Sequence, residues 1–278
     1  MPGPGSKTLG LLAAAALSLP VLATGVEAAG PVFVDPLERA APPTLPADFG
    51  FDFVVATDFP PFSRIDASGV VSGFNVDLAR EICRALSLLD RCRIAAVPFA
   101  EIGAELDSGR ANAALAGIAM TAENRERHAF SRTYFQFPAR FIGRKGDGRL
   151  PDLDGKRVGV VGGGALERML RDFFPEARVV TYSRPDWMFD DLGKGSTDLA
   201  FGDGLSLSFF LASPPGAECC AFVGGGYLAP EYLGAGLAVA APIDQPAIPA
   251  AIDNALIELS RNGTLESLYL RYFPVGLF

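Results

Sequence analysis

Hydrophobic and polar positions alternate along this chain between two periods. Short unbroken apolar runs, such as Phe51-Asp52-Phe53-Val54-Val55-Ala56 and residues 113–116, have the length of buried strands. Between them lie stretches with apolar residues at helical spacing, as in Leu78, Ala79, Ile82, Cys83 and Leu86. The same reading predicts strands over 94–97, 156–161, 179–181, 198–201 and 236–240. Helices are predicted over 101–108, 166–173, 186–193, 205–211 and 248–259, the last ended by Asn262-Gly263, with a final short helix presenting Leu265, Leu268, Tyr269 and Tyr272. Strands that alternate with helices at this spacing imply an α/β chain, with parallel strands covered by helices on both faces.

One pattern occurs twice. Leu192, Gly195, Asp198, Ala200 and Gly202 repeat the spacing of Leu106, Gly109, Asn112, Ala114 and, nearly, Gly117. Each copy ends a strand and releases a loop, Gly117-Ile118 in one and Gly202-Asp203 in the other. The carboxyl ends of strands in an open sheet are where neighbouring loops diverge and leave a crevice. Two such halves facing each other predict a cleft between two lobes. The first passage between lobes is expected near residues 138–140 and the return over 236–240. This gives lobe 1 as residues 48–138 plus 237–278, and lobe 2 as residues 139–236.

Turn chemistry divides the rest. Pro60 and Pro61 stop the first strand, leaving Asp58 and Phe59 in a loop at its carboxyl end. Asp77, in the first turn of a predicted helix, faces the positive end of the helix dipole. Pro214, Pro215 and Gly216 are expected to break the chain, and Gly224-Gly225-Gly226 to mark a loop. Gly162-Gly163-Gly164 lies between a strand and a helix, where backbone N–H groups can meet an anion. It is not a G-x-G-x-x-G fingerprint and no G-K-[ST] follows, so a nucleotide site is not expected.

Length and composition narrow the function. A chain of 278 residues with 49% hydrophobic and 20% charged residues suits two globular domains. A net charge of −8 with no basic run argues against a nucleic-acid partner. Lys7, the apolar stretch over 9–22 and the small residues around Ala28 predict a secretory signal over residues 1–28. Five prolines make residues 29–47 an extended leader. Export permits disulfides. Cys83 lies in a helical stripe and Cys92 just past its end, which fits a local staple. Cys219 and Cys220 are adjacent, a spacing at which a bridge is strained, so two buried thiols or a long-range pairing stay open. His128 is the only histidine and has no ligand partner at metal-binding spacing; no metal or cofactor is expected.

Several motifs occur in a recognisable order: Pro60-Pro61-Phe62; Gly73-Phe74-Asn75-Val76-Asp77-Leu78; Thr121-Ala122-Glu123 with Phe130-Ser131; Leu153-Asp154-Gly155-Lys156-Arg157-Val158-Gly159-Val160; and Asn262-Gly263-Thr264 with Tyr272-Phe273-Pro274. Together they resemble the family 3 extracellular solute-binding proteins, the polar-amino-acid binding components of ABC importers. The likeness runs from about Phe51 to Pro274. It implies a periplasmic-binding-protein-like fold of type II, two α/β lobes on a two-segment hinge, closing on a small solute. It also implies a periplasmic location, a membrane permease as partner, and a monomer. Carried over residue by residue, Phe59 resembles the aromatic that lies against the solute, Gly117 and Ile118 the strand end that receives it, and Asp203 the acid that binds its α-ammonium. The chain departs from the pattern at three places. Ala119 stands where a hydroxyl residue is usual. Asn124, followed by Arg125, stands where an arginine grips the α-carboxylate. Ala165, next to Gly164, stands where lobe two often has another hydroxyl. Asp58 and Asp203, with Asn124 replacing a cation, bias the pocket toward solutes that carry an amine.

Two other functions remain open on the sequence. An enzyme on the same scaffold, such as the cyclohexadienyl dehydratases that resemble this family, needs a poised carboxyl, for which Glu101, Glu123 and Glu167 are the candidates. A sensor module recruited by another envelope protein is the other.

Overall fold

The computed structural model describes residues 43–146, 148–273 and 275–278, together with Met1, Val34, Asp35 and Leu37. Nearly all of the expected signal segment and most of the leader lie outside the described residues. Within the leader, Val34 is buried in the first lobe's core, and its carbonyl accepts the Ser260 hydroxyl at 2.9 Å.

The chain opens with β1 (Phe51–Ala56), then β2 (Asp58–Phe59), β3 (Ser63–Ile65) and β4 (Val71–Ser72), followed by α1 (Phe74–Ala85) and β5 (Cys92–Val97). Next come α2 (Ile102–Asp107), β6 (Ala113–Leu115), α3 (Ala122–Arg127) and β7 (His128–Phe130). A second body follows, with β8 (Ala139–Arg144), β9 (Arg157–Val161), α4 (Ala165–Phe173), β10 (Arg178–Tyr182), α5 (Pro185–Lys194), β11 (Leu199–Asp203), α6 (Gly204–Ala212), α7 (Pro214–Cys219), β12 (Cys220–Tyr227) and α8 (Pro230–Leu233). The chain then returns as β13 (Ala240–Pro242), α9 (Ala247–Arg261) and α10 (Thr264–Tyr272).

Two five-stranded sheets result, in the orders β5-β1-β6-β13-β7 and β10-β9-β11-β8-β12. They share one plan. In each, four strands run parallel and one, the fourth in the order, runs antiparallel between its neighbours. This corrects the expectation of purely parallel sheets. The antiparallel strands β13 and β8 are the segments that have just crossed between lobes, so they enter their sheets from the hinge end rather than through a helical crossover. Side chains alternate across a strand, so each sheet buries one apolar cluster on each face. In the first sheet Phe53, Val55 and Leu115 lie on one side and Val54, Ala56 and Ala114 on the other.

The repeated spacing has a mechanical meaning. Gly109 and Gly195 both adopt a left-handed backbone, with φ of 72° and 77°, which lets the preceding helix end tightly. Three residues later, Asn112 donates its N–H to the Asp52 carbonyl at 3.0 Å, and its Oδ1 accepts the Asp52 N–H at 3.0 Å. Asp198 does the same to Arg157, with bonds of 2.9 Å in each direction. One polar side chain per lobe thus clips the incoming strand to the first strand of its sheet.

Elsewhere tertiary packing overrides local signals. Pro214, Pro215 and Gly216 follow the end of α6 as expected, but start a new helix, α7, since proline tolerates the first helical turn where no intrahelical N–H bond is lost. Gly224-Gly225-Gly226 is not a free loop but the irregular half of β12, paired at the edge of the sheet with β8. Cys219 and Cys220 bond to each other, and Cys83 bonds to Cys92 as expected. Asp58 and Phe59 form one arm of a small sheet with β3 and β4 rather than a loop.

The passages between the lobes run over residues 131–138 and 234–239, so Arg140 already belongs to β8 and the return strand starts at Ala240. The two passages pair with each other at Phe135 and Leu237. Phe135 is fully buried against Phe62 and Phe273, with ring centroids at 5.0 and 4.9 Å, which roots the hinge in the first lobe. The carboxyl-terminal tail joins the lobes a third time: Leu277 is buried in the first lobe's core while Val275 packs on the second's. Buried Arg140 donates to the carbonyls of Leu277 at 2.8 Å and Gly224 at 2.9 Å. Asp77 is more than a dipole partner, for it ties α1 to α10 through Arg271 at 3.0 Å and the Tyr272 hydroxyl at 2.7 Å. Burial, with Asp77 beside it, pushes the Tyr272 hydroxyl up to about 12.

The Cys83–Cys92 bond closes a short loop between α1 and β5. Replacing both residues by alanine is expected to lower the unfolding free energy by about 2–3 kcal/mol, the loop-closure value for such a span, measured by urea denaturation of the oxidised protein and the double variant.

Candidate functional site

Both strand tips singled out by the repeat end at the hinge. Gly117, just past β6, has φ of 75°, and the position a Cβ would take there lies 3.2 Å from the Phe59 ring and 3.7 Å from Leu237 of the return passage. Asp203, at the end of β11, lies opposite Ala139, the first residue beyond the outward passage. The next residue, Gly204, donates its N–H to the Pro138 carbonyl at 2.7 Å. The cleft floor is therefore the hinge, with one lobe's strand tips on each side.

On the first lobe's side, Phe59 stacks on Phe62 at 4.8 Å and covers Gly117, with Ile118 packed beside it in the same apolar cluster. A larger residue at 117 would force the ring away. Asp58 precedes Phe59 in β2, so its side chain leaves the opposite face; it is exposed and sits across from Arg64. The structure thus brings Phe59, Gly117 and Ile118 together and leaves Asp58 outside.

The loop after β6 turns into α3, capped by Thr121, whose hydroxyl accepts the Asn124 N–H at 3.1 Å. The Asn124 side chain folds back and donates to the Ala119 carbonyl at 2.8 Å. Exposed Arg125 lays its guanidinium over the Phe130 ring, 5.6 Å from its centre. Where the resemblance expects a cation, a neutral amide is thus bonded to its own loop.

On the second lobe's side, Asp203 caps α6 by accepting the Ser206 N–H at 2.8 Å, using one of its two oxygens. Gly164 and Ala165 start α4, Gly164 as its cap and Ala165 as its first residue. Glu167, one turn in, is engaged: it accepts the Gly163 N–H at 2.8 Å and the Arg171 guanidinium at 2.7 Å. The Gly163 N–H, and then Arg171, hold its carboxyl below the usual range, the wrong direction for a proton donor near neutrality. Glu101 and Glu123 are exposed, on α2's leading turn and on α3.

Sequence reasoning missed the walls of this half-site. The carboxyl ends of β9 and β11 open into a cavity of about 690 Å³ bounded by α4, α5 and α6. Besides Asp203, Leu166, Met188, Phe189, Phe209 and Phe210 line it. Phe189 and Phe210 stack with centroids 4.0 Å apart. Phe209 stands half-exposed and also borders a second cavity with Pro60, Pro61 and Tyr272 of the first lobe. One signal was available: residues 205–211 carry apolar side chains on more faces than a one-sided helix can bury.

His128 is buried at the start of β7, opposite Pro242, and is a packing residue. Burial, and then Arg127, lower its pKa from 6.5.

Two sheets of one plan, hinged twice and offering paired strand tips at a common floor, define a two-lobed solute-binding protein of type II. The chain belongs to the bacterial extracellular solute-binding proteins, family 3, whose model matches residues 52–275. It is 28% identical to the ABC transporter arginine-binding protein 1 of Escherichia coli K12, over 80% of this chain and 90% of that one. It is 29% identical to the lysine/arginine/ornithine-binding periplasmic protein of the same organism, over 80% of this chain and 86% of that one. Among solved structures, an ancestral cyclohexadienyl dehydratase shares the fold, with a TM-score of 0.66 at 20% identity, covering 80% of this chain and 91% of that one.

Gly117→Ala is expected to cost about 1–2 kcal/mol, the penalty of a left-handed non-glycine residue, read as a shift of the urea midpoint. Because burial lowers the pKa of His128 in the fold, the folded chain binds fewer protons than the unfolded one as pH falls through about 6.5. Stability should therefore fall as pH drops through 6.5 and below, and His128→Phe should flatten that part of the pH–stability curve.

Proposed function

We propose that this protein captures a small amine-bearing solute, an amino acid or a relative of one, in the hinge cleft and delivers it to the permease of an ABC importer. The observation that carries this is Asp203: a carboxylate at the floor of the cleft, with one oxygen engaged in capping α6 and the other left for a ligand. An ammonium bound there makes a charge-assisted hydrogen bond. Contacts from Phe59, Gly117 and Ile118 in one lobe, and from Asp203, Gly164 and Ala165 in the other, make the closed form the one a solute favours. Ala119 presents its carbonyl to Asn124, so any grip on a carboxylate falls to Arg125 after movement of the loop.

Both Escherichia coli relatives named above are binding components, for arginine among others by name, and that supports import over catalysis. The engaged state of Glu167 supports the same choice. We place the protein in the periplasm as a monomer, with lobe limits near residues 138 and 237.

The test is calorimetric titration of solute-free protein with amino acids and amines, with the radius of gyration followed by X-ray scattering. Saturable binding with a contraction is expected. Asp203→Asn preserves the cap, since Asn and Asp cap equally well, but removes the charge. It should weaken amine binding by about 10- to 100-fold, corresponding to about 1.5–3 kcal/mol, with the urea midpoint unchanged. An unaltered affinity in this variant would remove Asp203 from the site.

A further inference from the structure

The second lobe's cavity specifies more than an amine. Its lining is almost wholly apolar: the stacked Phe189 and Phe210, Leu166 and Met188, and the half-exposed Phe209, which also borders the cavity shared with the first lobe. The side-chain polar groups in that lining are the Asp203 carboxylate and the Ser206 hydroxyl. A volume of about 690 Å³ falls in the range of small-molecule sites, with room for an aromatic ring on a short chain.

From this we infer that the solute is an amine with an apolar, ring-sized body, rather than one ending in a guanidinium, and that its body enters the second lobe beside Phe209 while its ammonium meets Asp203. The inference rests on the capture proposed above and names the class of solute. Two physical terms select it. Apolar surface moved from water onto these rings and aliphatic chains is favourable in proportion to its area. A guanidinium carries five N–H donors, and a wall of this composition leaves most of them without acceptors, which is costly when water is excluded. The first lobe points the same way. The position expected to clamp an α-carboxylate holds Asn124, whose amide is bonded to the Ala119 carbonyl, so a carboxylate on the solute is not required.

The experiment is calorimetric titration of the exported full chain, freed of solute, with phenethylamine, L-phenylalanine, L-arginine and 3-phenylpropionate. Phenethylamine and L-phenylalanine are expected to bind at least tenfold more tightly than L-arginine, and 3-phenylpropionate not to saturate. Phe209→Ala removes a half-exposed ring and should leave the thermal midpoint unchanged. It should weaken phenethylamine at least fivefold. L-Arginine binding as tightly as phenethylamine, or more so, overturns the apolar class while leaving amine capture intact. Phenethylamine binding that ignores Phe209→Ala overturns the placement of the body. If none of the four binds, and no other amine or amino acid does, both the class and the capture fail.

Discussion

The geometry of this protein depends on a polar clip made once in each lobe. Asn112 and Asp198 each bond both the N–H and the C=O of a residue at the start of the neighbouring strand, Asp52 and Arg157. A parallel strand pair has no tight turn to set its register, so a slip would turn every buried side chain to the wrong face. The clip excludes that slip at the strand's entry. With the entry held, the exit is determined within a few residues, and the exit is where Gly117 and Asp203 emerge.

The hinge converts those two exits into one site. The two passages between lobes pair through buried Phe135 and Leu237. Gly117 lies against the return passage and Asp203 against the outward one. The carboxyl-terminal tail adds a contact that neither passage supplies, with Arg140 of the second lobe bonded to the Leu277 carbonyl. Burial lowers the pKa of this guanidinium, yet two carbonyls and the Phe222 ring, 4.2 Å below it, compensate the lost water. Three segments of chain therefore join the lobes at this floor.

The two sides of the cleft are chemically unequal. The first lobe contributes one aromatic face and the strand end it covers, while the second contributes a carboxylate set in an apolar enclosure. Substitutions around Thr121 move the polar groups away from the guest: Asn124 is bonded to its own loop and Arg125 lies on Phe130. Discrimination among solutes by such a site comes chiefly from the cost of stranding donors against rings, which is larger than the gain from any one extra contact.

Much of this was legible in the chain itself. The period of apolar residues determined β1, α1, β9, α4 and α9, because local burial patterns dictate those elements. The repeated Leu, Gly, Asx, Ala spacing located both strand tips, because the clip and the left-handed turn are local devices. Gly117, Ile118 and Asp203 followed from that, while Phe59 followed from the prolines that stop β1 and from the family resemblance. What only the tertiary structure decided depended on distant partners. Gly224 to Gly226 became a bulge inside an edge strand because Val223 and Tyr227 on either side pair with β8, and Pro214 started a new helix directly after α6. Asp58 faces away from Phe59 and Gly117 because its pairing opposite Arg64 sets which side of β2 it occupies. Phe209 and Phe210 joined the site because packing of α5 on α6 left room beside Asp203. Periodicity records which side of an element is buried; it carries no information on which cavity the remaining side faces, since that is set by contacts between residues far apart in sequence.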